Sequence, residues 1–222
     1  MERIIDLHLK FYQSLFQEKK CITEALSNQG ISVLTGFVDN VHLVRDFYES
    51  CYKNDNRRIV LCGINPGRLG AGKTGVPFLD YLSLSKLLNG IDNKDSELSA
   101  KFIFSIIESI GIERFFDHVY LTNISWFGFV KGNKNVNYYE LGEELQREFT
   151  YGFIKEMEII QPQVIIPLSK KVKKTLMQMK KENLLDAKIA PPLSHPYYYS
   201  NFKSRYEEGF EKYKEVIENY TA

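Results

Sequence analysis

The chain reads as a three-layer α/β/α sandwich around a central four-stranded parallel sheet. Three observations predict this. Short continuous apolar runs rich in β-formers alternate with amphipathic helical stretches. The 222 residues are 44% apolar, enough for one medium domain with its own core. No linker, internal repeat or low-complexity stretch divides them, so residues 1–222 form one domain, with residues 1–55 as N-terminal helices packed on it.

Residues 2–28 have helical apolar spacing at Ile4, Ile5, Leu7, Leu9, Phe11, Leu15 and Phe16, and Gly30 ends the run. Val38–Tyr52 is a second helix with Asp39 or Asn40 at its cap. The run Arg57–Ile64 changes character and reads as a buried parallel strand leading into a Gly-rich loop. Ser83–Leu88 and Lys101–Ile110 are helical, and His118–Ile124 is the second strand. Tyr138–Ile160 is a long helix stopped by Pro162. Gln163–Leu168 is the third strand, followed by a helix over Ser169–Glu182. Ala187–Leu193 is a weaker fourth strand whose prolines suit an edge. Residues 202–220 close the chain as a helix.

Composition sets further bounds. The net charge of +1 provides no global basic field, although a local basic patch is compatible with it. Fifteen Phe and fourteen Tyr argue against disorder. Cys21, Cys51 and Cys62 are dispersed and odd in number, which is neither a disulfide framework nor a metal or iron–sulfur ligand set. The N-terminal segment lacks the apolar core of a signal peptide, and no run is long enough to span a bilayer. The expectation is a cytoplasmic protein, monomeric, without cofactor, metal or membrane contact.

Parallel α/β sheets bind ligands beyond the carboxyl ends of their strands. Three polar residues fall at such ends here: Asn65, Asn123 and His195. The first begins a loop with two overlapping patterns. Gly67-Arg-Leu-Gly-Ala-Gly72-Lys73-Thr74 has the spacing of a phosphate-binding loop. That motif needs a helix opening at the Lys-Thr pair, and Gly75-Val76-Pro77 denies it one. No acid ends the strand Val164–Leu168 to hold magnesium.

The other pattern is Gly63-Ile-Asn65-Pro-Gly67, then Thr74-Gly-Val-Pro-Phe78, with Asn123 ahead of Ile124-Ser-Trp-Phe127, and Ser194-His195-Pro196. In this order the motifs resemble those of the SMUG-type uracil-DNA glycosylases, over roughly residues 57–212. The resemblance implies monofunctional hydrolysis of the N-glycosidic bond of uracil or a related damaged base in single- or double-stranded DNA, as in base excision repair. It implies catalytic roles for Asn65, which would position the attacking water, and His195, which would donate to the leaving base. It places Gly63, Ile64, Gly67, Phe78 and Asn123 around the base. Phe78 would stack on it, Asn123 would read its Watson–Crick edge, and Gly67 would leave room there.

Each residue also has a plain structural reading. Asn65 and Asn123 could cap turns, Phe78 could be core, and His195 could serve packing. Arg68, Lys73, Lys170 and Lys171 are candidate phosphate contacts, though a lysine run is usually solvated surface. Tyr197, Tyr198 and Tyr199 cannot all point inward, so one is expected as a wedge in the base stack. These tyrosines depart from the His-Pro-Ser-Pro and basic wedge usual in the family. That departure keeps a second class open: a nucleic-acid or nucleobase-binding module without the chemistry. The phosphate-loop NTPase is the third reading.

Overall fold

The computed structural model describes residues 1–221. Two N-terminal helices, α1 (Glu2–Gln17) and α2 (Lys20–Asn28), replace the single one expected, because the backbone leaves helical geometry at Lys19. A two-residue strand β1 (Ser32–Val33) and a single turn α3 (Gly36–Asp39) follow. Asn40 then precedes α4 (Val41–Cys51). The fully buried strand β2 (Ile59–Gly63) comes next, then two one-turn helices, α5 (Ala71–Thr74) and α6 (Tyr81–Leu84).

Helix α7 (Leu98–Ile110) begins at Glu97, whose carboxylate accepts from the Ala100 N–H at 3.0 Å. After α8 (Ile112–His118) the chain enters β3 (Val119–Asn123). A hairpin of β4 (Phe129–Lys131) and β5 (Lys134–Val136) follows. A 3₁₀ turn at Tyr138–Glu140 precedes α9 (Glu143–Ile160), which ends at Gln161 in a left-handed conformation just before Pro162. The last elements are β6 (Ile165–Pro167), α10 (Lys170–Lys181), α11 (Pro196–Ser200) and α12 (Lys203–Thr221).

The central sheet is parallel with order β3-β2-β6. This corrects the four-stranded expectation. The segment near Ile189 does lie beside β6, where Ile165 donates to Lys188 and Ala190 donates to Ile165, but it forms one bridge rather than a strand. Pro191 and Pro192 follow at once, and neither has an N–H with which to continue the ladder. A second, antiparallel sheet of order β1-β4-β5 sits apart from the first.

Helices cover both faces of the parallel sheet. On one face the Tyr48 hydroxyl of α4 meets that of Tyr120 in β3 at 3.1 Å, and α1 and α9 are joined by His8 and Glu156. On the other, Phe102 of α7 packs edge-on against Tyr213 of α12. Strands buried on both sides explain why β2 and β3 read as unbroken apolar runs. Among the described residues no helix is long and apolar enough to cross a membrane.

Candidate active site

At the carboxyl end of the sheet lies a cavity of about 670 Å³, with Ile64, Asn65, Phe78, Asn123 and His195 on its walls. Gly63, the last residue of β2, lies beneath it. A Cβ there would come within 2.3 Å of Asn123 Oδ1 and 2.4 Å of Phe78 Cζ. The strand must therefore end in glycine for both side chains to lie across it. Phe78 adopts φ 62°, a left-handed conformation that costs a bulky residue on the order of 1–3 kcal/mol. The surroundings hold it there. Thr74 is completely buried and donates its hydroxyl to the Leu79 carbonyl at 2.7 Å, closing the segment that carries Phe78.

The N-terminal region grips this loop from outside. The Asn40 side chain donates to the carbonyls of Gly36 and Lys73, both at 3.0 Å. Gly36 lies so close to Gly72 that a Cβ would stand 2.2 Å from the Gly72 carbonyl oxygen. Gly75 has φ 79° and rests against the backbone of Phe37.

Asn65 is fixed by the hairpin. Its amide nitrogen donates to the Val136 carbonyl at 3.2 Å, and its carbonyl oxygen accepts from the Tyr138 N–H at 2.9 Å. A donor on one side and an acceptor on the other set the amide orientation. The second amide N–H reaches the Pro66 carbonyl at 3.4 Å, so one lone pair of the amide oxygen remains for a ligand. The turn that presents Tyr138 is itself locked, since Glu140 accepts from both the backbone and the side chain of Asn137 at 2.7 Å. Asn123 differs. It is buried, lines the cavity, and its amide meets no hydrogen-bond partner among the described residues.

His195 precedes α11, where Pro196 takes the first helical position. The Tyr197 N–H donates to His195 Nδ1 at 3.2 Å, which leaves the ring proton on Nε2. Burial lowers the imidazole pKa to about 4, so the ring is neutral and a hydrogen-bond donor at neutral pH.

The remaining expected residues separate. Gly67, Arg68, Tyr197 and Tyr198 border the same cavity. A Cβ on Gly67 would meet only Asn135, at 3.5 Å, so space exists there. Tyr199, expected toward DNA, is instead core: it is 3% exposed and stacks on Phe102. Lys73 is tied to Asp95 at 2.5 Å, so its charge is already matched. Lys170 and Lys171 occupy the first turn of α10 outside the cavity wall. Lys171 approaches it through the ring of Tyr139, a wall residue, at 5.6 Å. The phosphate-loop reading fails on geometry. Its Lys is paired, its Thr hydroxyl is buried on Leu79, and its helix is a single turn ended by Gly75.

The sequence reading overlooked Asn135 of the hairpin, Asn137 and Tyr139 of the turn after it, and Glu97 and Ser99 at the start of α7, all on the cavity wall. A signal for the hairpin was present. Gly132-Asn133 lies between Phe129-Val-Lys131 and Lys134-Asn-Val136, a two-residue turn between short β runs. For Glu97 and Ser99 the signal was weak, an acid three residues before Ala100 at a helix start.

Comparison with known proteins agrees with this geometry. The family model for the uracil DNA glycosylase superfamily matches residues 51–220. Comparison with curated proteins returns no match. Among solved structures, the chain is similar to wild-type SMUG2 of Pedobacter heparinus, with 27% identity and a TM-score of 0.70 over 86% of this chain and 88% of that one. A fold with this cavity at the sheet's carboxyl edge and a motif set in this order places the chain in the uracil DNA glycosylase superfamily, within its SMUG-like branch.

Proposed function

We propose that the protein is a monofunctional DNA glycosylase that hydrolyses the N-glycosidic bond of uracil or a related damaged base. The observation that carries this reading is the convergence of Asn65, Phe78, Asn123 and His195 on one cavity. The extruded base lies on Phe78, whose stacking offsets part of the few kcal/mol needed to unstack it. The unpartnered amide of Asn123 pairs with O4 and N3–H of uracil, and cytosine fails there because it presents a donor in place of O4.

As the sugar–base bond breaks, positive charge grows on the deoxyribose and negative charge on the base. His195 Nε2–H donates a hydrogen bond to the developing base anion and retains its proton. Asn65 uses its remaining polar capacity to hold the water that adds to the sugar carbon. The water's oxygen forms the new bond to carbon, and its proton balances the departing base. An amide orients this water but is no base, and an oxocarbenium-like centre needs little more. Among the described residues no lysine lines the cavity, in keeping with hydrolysis rather than Schiff-base chemistry.

The test is incubation of the purified protein with a single-stranded oligonucleotide containing one uracil, followed by alkali. Strand scission at the uracil is expected. Intact strands at high concentrations of folded enzyme overturn the reading. Thermal stabilisation by uracil without scission supports the base-binding module instead.

A further inference from the structure

The cavity is larger than its reacting base requires. A volume of about 670 Å³ falls in the range of roughly 300–1,000 Å³ that houses drug-sized ligands, whereas a pyrimidine is a single ring. The cavity wall extends past the base-facing residues to Glu97 and Ser99 at the start of α7 and to Tyr197 and Tyr198 of α11, two helices that pack on one another. This part of the wall is chemically distinct from the catalytic side. Glu97 stands at the start of α7, with Oε2 committed to the Ala100 N–H. Ser99 is only 8% exposed, borders the cavity, and its hydroxyl has no partner among the described residues. Opposite, Tyr197 and Tyr198 are 51% and 47% exposed at the same cavity, and Leu69 is 46% exposed.

The Glu97 carboxylate disfavours phosphate at its own side of the wall, while Arg68 and Arg205, the latter 4.5 Å from the Tyr198 and Phe202 rings, leave the opposite rim open to the DNA backbone. Exposed aromatic rings select a flat partner, because every base offers a π-face. The pair Glu97 and Ser99 adds a polarity: an obligate acceptor beside a hydroxyl able to donate. Adenine and cytosine carry the complement, an exocyclic amine next to a ring nitrogen that accepts. Thymine and uracil carry the reverse, a carbonyl next to a ring N–H.

Building on the glycosylase reading, we propose that this side of the cavity is a second nucleobase subsite. It takes the base adjacent to the excised one, unpaired and stacked on Tyr197, because the Arg205 guanidinium already lies over the Tyr198 ring at 4.5 Å. It selects adenine or cytosine over thymine through Glu97 and Ser99. The enzyme therefore excises with a sequence-context preference.

The experiment uses single-stranded oligonucleotides with one uracil that differ only in the base on its 5′ or 3′ side. At one of these positions, adenine or cytosine should raise kcat/KM about tenfold over thymine, as one hydrogen bond to a charged group would. Glu97→Gln, which can turn an amide donor toward the base, should bring the ratio to within about twofold. Ser99→Ala should reduce it in part. Thermal melting establishes that each variant is folded, and the ratio within one variant does not depend on its overall rate. Equal wild-type rates at both positions overturn the subsite, as does a ratio unchanged in both variants. If no oligonucleotide releases uracil, the glycosylase reading fails separately. The same series made with uncleavable 2′-fluorodeoxyuridine then decides the subsite by fluorescence anisotropy. A tighter Kd for adenine or cytosine neighbours supports it, and equal Kd values overturn it.

Discussion

The main-chain N–H of Tyr138 donates to the side-chain oxygen of Asn65 at 2.9 Å, so a residue of the loop after β2 takes its orientation from a turn 73 positions later. The turn is closed by Glu140 on Asn137. Glu140→Ala should loosen Tyr138 and Val136 together and let the Asn65 amide rotate. We expect kcat to fall roughly 10- to 100-fold with KM little changed, since misplacement by about 1 Å costs on the order of 100-fold. Glu140→Gln, which keeps an acceptor, should recover most of the rate. Steady-state uracil release measures both.

His195 provides a pH prediction. The folded imidazole has its pKa lowered to about 4 by burial, from an ordinary value near 6.5. The neutral donor therefore survives to acidic pH, and the acid limb of kcat/KM due to this residue should lie near pH 4. The unfolded chain takes up the proton first as pH falls. Stability from this residue is thus complete above about pH 6.5 and declines between there and pH 4. An acid limb near 6.5 that vanishes in His195→Asn would contradict the assignment.

Gly63→Ala tests the floor of the cavity. The new methyl group would lie 2.3 Å from Asn123 Oδ1 and 2.4 Å from Phe78 Cζ, so both must shift. A stability loss of about 1–3 kcal/mol is expected from overpacking. Uracil release should fall far more than that loss explains, because the displaced groups are those proposed to hold the base. Urea melts alongside activity separate the two effects.

His8 and Glu156 form a pair away from the cavity, 3.1 Å apart and 1% and 0% exposed, with His8 stacked on Trp126 at 3.9 Å. Glu156 Oε1 has no hydrogen-bond partner among the described residues. His8→Ala removes the one polar contact of a buried acid and opens a gap beside the indole. A loss of about 3–5 kcal/mol is expected in chemical denaturation. A loss below about 1 kcal/mol would mean the site relaxes or hydrates.

The parallel sheet was legible because β2 and β3 are buried on both faces and so carry uninterrupted apolar runs. The floor of the cavity was legible for a related reason: Asn65, Asn123 and His195 stand at strand ends or the loops beyond them. The hairpin was not read, because three-residue strands with Lys131, Lys134 and Asn135 offer almost no alternation to detect. The cavity wall formed by Glu97 and Ser99 was hidden by distance, since only the packing of α11 on α7 brings it opposite Tyr197. Tyr199 was misplaced because three identical neighbours give no hint which one faces Phe102.

The family match begins at residue 51, yet Gly36, Phe37 and Asn40 close over Gly72, Lys73 and Gly75. The matched part of the molecule is therefore held by contacts from outside it. A fragment trimmed to residues 51–220 would retain every side chain on the cavity floor while losing the clamp that holds the loop between Asn65 and Phe78. Its inactivity would say nothing about the chemistry. A change at Gly36 and a change at Gly72 therefore disturb one and the same contact, although only Gly72 falls within the matched residues.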